Sequence, residues 1–150
     1  MTDHARNRKA FYDFDIEETY EAGISLSGPE VKSVRAGRAN LKESYARVRD
    51  GEVFLLGAHI SPYENAHNIP QHPTRERKLL LHRGEISRLA GKSQEDGKTL
   101  IPLRLYTRDG NIKLELAVAS RKRHYDKRRE IARKTAEREM ERAIKERLRR

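Results

Sequence analysis

Leu103-Arg104-Leu105-Tyr106-Thr107-Arg108-Asp109-Gly110-Asn111-Ile112-Lys113-Leu114-Glu115-Leu116-Ala117-Val118 decides the fold class of this chain. Leu103, Leu105 and Thr107 alternate with Arg104, Tyr106 and Arg108, and beyond Asp109-Gly110 the alternation resumes with Ile112, Leu114, Leu116 and Val118 against Lys113 and Glu115. A period of two sends successive side chains to opposite faces of a strand, and Asp-Gly accepts the positive φ angles of a tight type I′ turn. The stretch therefore predicts an antiparallel hairpin. Upstream, Tyr45-Ala46-Arg47-Val48-Arg49, then Asp50-Gly51, then the run from Glu52 to Ile60 predict a second hairpin by the same chemistry.

Moving outward, Tyr12, Phe14 and Ile16 alternate with Asp13, Asp15 and Glu17, which predicts a half-buried strand running toward Ile24. At Gly23 the alternation breaks, so a bulge or a close backbone approach is expected there. Met1 to Lys9 are polar and form the approach to that strand. Ser27 and Glu30 have capping-box spacing and Pro29 suits a first helical position, so a short helix begins here in one of two frames a residue apart. Val31 and Val34 would face inward, and Gly37 would close the helix in the left-handed conformation. Ser61 to Thr74 holds Pro62, Pro70 and Pro73 and keeps neither period, so it reads as an exposed loop. Arg75 to Leu81 is a strand or a lead-in to a helix from Gly84 or Glu85 to Ala90, stopped by Gly91, with Ile86, Leu89 and Ala90 buried. Two hairpins, a further strand and short helices without a βαβ rhythm predict a mainly β protein. The architecture expected is a small closed antiparallel OB-like barrel with two or three short flanking helices.

The positive charge is not spread over that barrel. The chain carries 33 Lys and Arg against 23 Asp and Glu, a net +10, and from Ser120 onward the count is 14 against 6. Residues 1–119 form the expected barrel domain with +2, and residues 120–150 a basic C-terminal tail with +8. Such a tail is expected to be disordered or fluctuating when free and helical on binding an anionic partner. Glu130 with Lys134, Glu141 with Lys145 and Glu146 with Arg150 have favourable helical spacing, while Ala132, Ala136, Met140, Ile144 and Leu148 form a stripe too thin to dock strongly. Coiled-coil pairing is the alternative, although no sustained heptad is present. Nucleic acid is the polyanion that a compact domain with a basic arm would bind.

Other function classes lose support. The chain has no Cys, which removes disulfides, thiolate zinc sites and cysteine nucleophiles. No run approaches a membrane span, and the first residues lack a signal peptide's apolar segment, so a cytoplasmic address is expected. His59, His67, His72 and His82 have no ligand spacing, and no phosphate loop or nucleophile elbow occurs. No metal, cofactor or catalytic residue is expected; a small ribonuclease using His59 or His82 is the enzymatic alternative. Glu21 reads as an exposed strand acid, or as a carboxylate that accepts a hydrogen bond from a base edge or orients an arginine. Arg8 and Lys9, and Arg75, Arg77 and Lys78, are cations at strand junctions that either track a phosphate backbone or are plain solvated surface.

Five blocks in order resemble one family. They are Asn7-Arg8-Lys9-Ala10, Tyr20-Glu21-Ala22-Gly23-Ile24, the run from Gly28-Pro29-Glu30 to Gly37, Arg77-Lys78-Leu79-Leu80-Leu81, and Asp126-Lys127-Arg128. Together they are similar to small protein B, the family that binds transfer-messenger RNA, the SsrA RNA. The resemblance implies a non-enzymatic adaptor that binds the tRNA-like domain of that RNA and brings it into stalled ribosomes for trans-translation. The partners implied are the transfer-messenger RNA, the ribosome through its decoding site, message channel and small-subunit RNA, and elongation factor Tu through the charged RNA. It carries RNA contact onto Asn7, Tyr12, Glu21 and Leu80 on one patch, beside the cations Arg8 and Lys9, with Arg35, Lys122 and Arg123 on a second surface, and decoding-site contact onto Tyr125, Asp126, Lys127 and Arg128. Two positions depart from the family pattern: Arg121 stands where glycine is usual, and Tyr125 where histidine is frequent.

Overall fold

Both hairpins form, and the longer one is extended at each end. In the computed structural model, which describes residues 2–64, 70–122 and 124–149 with backbone alone for 124–130 and 149, the chain order begins β1 (Thr2–Arg6), α1 (Arg8–Asp13), β2 (Phe14–Ile24), α2 (Gly28–Arg35) and β3 (Ala39–Asn40). It continues β4 (Tyr45–Arg49), β5 (Glu52–Leu56), β6 (His59–Ile60), β7 (Arg77–Leu80), α3 (Arg83–Ser93), β8 (Lys98–Arg108), β9 (Asn111–Arg121) and α4 (His124–Arg149). Asp50 and Gly51 have φ of 52° and 74°, and Asp109 and Gly110 have 51° and 79°, the paired positive values that a type I′ turn needs.

The pairing is antiparallel throughout. β8 pairs with β4, β4 with β5, β5 with β7, β7 with β2, β2 with β9, and β9 again with β8, while β1 lies along the remaining stretch of β8. β3 and β6 make a separate two-stranded ladder. The interior of this mainly β body holds Leu55, Leu79, Leu100, Leu105, Leu114 and Leu116, each at most 1% exposed.

The β8–β9 register shifts between Pro102 and Arg104, leaving Leu103 as the extra residue of a bulge. One extra residue reverses which side chains face in. Leu103 and Leu105, expected on one face, therefore lie on opposite faces: Leu105 joins the main core, whereas Leu103 packs outside with Ile101, Ala117, Ala119 and Ala10. That outer apolar patch explains α1, which corrects the strand expected from Tyr12 onward. Asn7 caps α1 by accepting the Ala10 N–H at 3.2 Å, Ala10 is buried against the patch, and the strand begins only at Phe14. The polar approach, too, is a strand: β1 pairs with β8, and His4 and Asp3 bond to Thr107 and Arg104.

The bulge in β2 falls between Ile16 and Glu18, not at Gly23. Gly23 serves the other expected use, close approach: a Cβ there would lie 3.2 Å from the Cβ of Leu80 on β7. α2 starts at Gly28 with Ser27 as cap, both arms of the capping box form, and Pro29 takes the second helical position. Gly37, at φ 76°, donates to Val34 O while Arg38 donates to Ser33 O, the two bonds of a Schellman close. α3 runs through Gly91, the expected stop, to Ser93; fully buried Leu89 anchors it, and one interior glycine costs a helix only about 1 kcal/mol relative to alanine.

Arg77 is wholly buried rather than solvated. Its guanidinium meets Glu30 at 2.7 and 2.8 Å and donates to Ala58 O, Arg75 O and Pro73 O, tying α2, β7 and the proline-rich loop into one corner. Burial raises Glu30's carboxyl, but hydrogen bonds from Arg75, the Ser27 backbone and Arg77 outweigh it and leave the group below its ordinary value. Arg75 is also on Glu30 and Lys78 pairs with Glu52, so this basic cluster is internally spoken for.

At the far end, Ser120 and Arg121 belong to β9, so the boundary expected after Ala119 falls inside a strand. The Lys122 backbone N–H donates to Asp13 O, and one long helix, α4, follows from His124. Where composition leads to an expectation of fluctuating chain, the structure has helix. Residues 131–148 are all exposed, Met140, Ile144 and Leu148 among them, so their apolar stripe covers none of the described residues.

Candidate nucleic-acid interface

The expected RNA-contacting residues sort into two places on the body. The first is the outer face where β2, β7 and the β8–β9 hairpin tip meet. Leu80 emerges here because the Leu79-Leu80 pair alternates, Leu79 at 1% and Leu80 at 52% exposed. It shares one shallow cleft with Glu21, Gly23 and Lys113, and a neighbouring groove of about 360 Å³ with Leu26, Arg35, Asn111 and Lys113. Arg35, at the end of α2, donates to Gly110 O in the hairpin turn at 3.0 Å.

Glu21 is not a loose strand acid. Its Oε2 accepts from the Tyr106 hydroxyl at 2.5 Å and from Arg108 Nη1 at 2.9 Å. The Tyr106 hydroxyl first, then the Arg108 guanidinium, hold the Glu21 carboxyl below its usual range, so the group stays anionic at neutral pH. Tyr106 is itself 2% exposed; burial and then its bond to Glu21 push the phenol far up, so it remains a donor. Arg104 sits 4.3 Å over the Tyr106 ring and binds Asp3 and Glu115.

The second place is the β1–α1 corner. Asn7 is 4% exposed, and both of its amide hydrogens are spent: Nδ2 donates to Pro102 O at 2.9 Å and to Leu41 O at 3.2 Å. Its side chain holds the corner together instead of facing solvent. Arg8, Lys9 and Tyr12 are exposed on α1, and Lys9 binds Glu43 at 2.9 Å, which raises the ammonium. Lys122 reaches Phe11 O. In the sheet Asn7 bonds to Pro102, which pairs with Leu116 and through it with Tyr20, so Asn7 and Glu21 stand about three strand spacings apart, roughly 14 Å. Asn7 and Glu21 line different clefts and do not share one.

Nor do Arg35 and Lys122, which were expected on one surface. Arg35 is held at the Asn111 end of β9 and Lys122 follows its other end, roughly 30 Å away for a strand of 11 residues. The structure joins Arg35 with Leu80 and Glu21, and Lys122 with α1. Arg121, in place of a glycine, lays its guanidinium 5.3 Å over the Phe14 ring. Tyr125, Asp126, Lys127 and Arg128 open α4, and Arg123 lies outside the described residues.

Tyr106, Arg108, Arg104 and Lys113 were not singled out from the sequence. Alternation puts them on one hairpin face, but no local signal connects Arg108 to a glutamate 87 residues earlier. Among the described residues no group of His, Asp or Glu gathers as a metal site, and no helix is long and apolar enough to cross a membrane. His59 is exposed on β6, the His82 N–H caps α3 onto Glu85, and His67 lies outside the described residues.

Against known proteins, residues 4–146 match the family model described as SmpB protein. An SsrA-binding protein of Rubrobacter xylanophilus is 79% identical over 150 residues, covering all of both chains. Those of Halothermothrix orenii and Symbiobacterium thermophilum are 57% and 58% identical, spanning 97% and 94% of this chain and 94% and 90% of theirs. A solved structure described as "tmRNA-SmpB: a journey to the center of the bacterial ribosome" is 47% identical and superposes with a TM-score of 0.68, over 79% of this chain and 84% of that one.

Proposed function

This chain belongs to the SmpB protein family, and from that membership we infer that it is an RNA-binding adaptor for the tRNA-like domain of transfer-messenger RNA. It acts in trans-translation, bringing that RNA to ribosomes stalled without a usable stop codon. The observation that carries the reading is full-length identity of 79% to an SsrA-binding protein, a match that includes the tail as well as the body. The physical layout supports it. A mainly β body of small net charge presents a fixed polar face, and the remaining +8 lies in the C-terminal segment.

The ring of strand pairings supports a closed OB-like barrel as the body that holds the RNA. Glu21, Leu80 and Arg35 form the principal contact face, with exposed Leu80 as an apolar platform for a splayed base. Arg8, Lys9, Tyr12 and Lys122 around α1 form a second, phosphate-tracking contact, which Asn7 supports from beneath. The segment from Arg123 on, with Tyr125, Asp126, Lys127 and Arg128 at its start, enters the decoding site and message channel against small-subunit RNA. The protein performs no catalysis and takes no cofactor. Elongation factor Tu joins through the charged RNA, and the setting is the cytoplasm. The test is to capture the protein from a bacterial lysate and sequence the RNA that comes with it. One structured RNA with a tRNA-like end should dominate, and in competition it should outlast ordinary tRNA; a broad mixture of RNAs would overturn the assignment.

A further inference from the structure

We propose that Arg108 contacts an RNA phosphate and that Glu21 serves the interface by aiming Arg108, with Tyr106 anchoring the carboxylate. The proposal rests on the reading that this face binds RNA, and adds to it a binding residue and the way an acidic residue helps. A carboxylate repels phosphate, so it favours RNA binding by accepting from a base N–H or a ribose 2′-OH, or by orienting a cation. The second arrangement is already built. Glu21 Oε2 receives Tyr106 from the protein side and Arg108 from the solvent side.

The two donors differ in freedom. Tyr106 is buried and its ring is covered by Arg104, so its hydroxyl is a fixed point and its one proton goes to Glu21. The Arg108 side chain is 55% exposed and spends Nη1 on Glu21, leaving donors of the guanidinium fork for a ligand. An exposed ion pair contributes little to stability, so what this one supplies is orientation. The direction is set by the fold as well. Arg108 ends β8 immediately before the turn, and Arg35 is fastened to Gly110 in that turn. Two guanidiniums thus flank one hairpin tip, with Lys113 and exposed Leu80 beside them. A phosphate backbone crossing the tip would meet both while a base rests on Leu80.

The test is a double-mutant cycle on the full-length protein, titrated with a transcript of the tRNA-like domain over a range of salt. Arg108→Ala should weaken binding roughly tenfold, as loss of a charged hydrogen bond does, and flatten the log–log salt slope by about 0.9. Glu21→Ala should weaken the wild-type protein similarly, yet in the Arg108→Ala background it should leave affinity unchanged or raise it, because an anion with nothing to aim only repels the phosphates. Arg108→Lys should keep the slope and recover only part of the affinity, and Tyr106→Phe should matter only while Arg108 is present. Melting temperatures should stay close to wild type for the Arg108 variants and fall by a few degrees for Glu21→Ala, equally in both backgrounds, because the buried Tyr106 hydroxyl loses its acceptor. If Glu21→Ala weakens binding equally in both backgrounds, or Arg108→Lys recovers everything, the aiming role is overturned while the interface stands. If neither single alanine variant weakens an RNA that the protein still captures, both the proposal and this placement of the interface fall.

Discussion

The β8–β9 hairpin and α4 both carry an excess of cations, α4 at about twice the density of charged residues, and they reach opposite ends. In the hairpin two arginines are held by the fold's own carboxylates: Arg104 by Asp3 and Glu115, Arg108 by Glu21. Even the outer face of its strands is partly covered, by α1. In α4 every residue from 131 to 148 is exposed, so this stretch is buried against none of the described residues. The difference teaches where specificity and charge reside. A surface whose ionic groups are mutually fixed presents one arrangement of donors and acceptors to a ligand, whereas an unpartnered basic helix offers charge that a groove of opposite sign must organise.

The most drastic way to break the comparison is to remove residues 123–150. Because β9 ends at Arg121 and Lys122 bonds back to Asp13, this cut spares every strand, whereas a cut after Ala119 does not. The shortened protein should melt within a few degrees of the full chain and still bind the tRNA-like domain, with a shallower salt slope. Peptide-tag transfer on stalled ribosomes should be abolished. Normal transfer would leave the helix dispensable and the contrast without functional meaning.

Next in size is Glu30→Ala, which strands the buried guanidinium of Arg77. Breaking a buried pair costs about 3–5 kcal/mol, so chemical denaturation should show a large loss, with no comparable loss from alanine at any single residue of 131–148. The sign with pH follows from the depressed carboxyl: Glu30's contribution is complete above its ordinary value of 4.5 and is lost as pH falls through the lower folded value. The wild type should therefore lose stability in that acid range more steeply than the variant. Equal slopes would mean Glu30 is not held as an anion.

Asn7→Ala sharpens the comparison within the body. It removes a helix cap and the side-chain donor to Pro102 O, while Leu41 O keeps its bonds from Ser44, which should cost about 1–3 kcal/mol of stability. RNA affinity should fall only as far as α1 loosens, so a variant of unchanged stability with strongly weakened binding would make Asn7 a direct contact. The smallest effect belongs to Arg8→Ala, exposed on α1: stability unchanged and the salt slope flatter by about 0.9 for whatever RNA is bound. No change in slope would remove α1 from the phosphate track.

What was legible along the chain follows from range. The two Asp-Gly hairpins, the Ser27–Glu30 cap and the Gly37 close are each written within a few residues, because turn angles, capping bonds and period two are local physics. The family resemblance extended that legibility to function, since it rests on order and identity and not on geometry. α1 escaped because its alternation matches a strand; only the outer apolar patch that the Leu103 bulge creates makes a helix the better cover. The same bulge put Leu103 and Leu105 on opposite faces, and no spacing announces it.

The sequence by itself determined the class of the fold and the segregation of charge into the last residues, which depend on neighbours in the chain, and through the family resemblance it named candidates for RNA contact. Tertiary structure alone decided which candidates stand together. It buried Arg77 on Glu30 and Asn7 on two carbonyls, parted Arg35 from Lys122, and brought Tyr106 and Arg108 to Glu21 across more than 80 residues. The reason is that burial and ion pairing depend on distance in space, and in an antiparallel sheet that distance is set by register, in which a single extra residue reverses the faces.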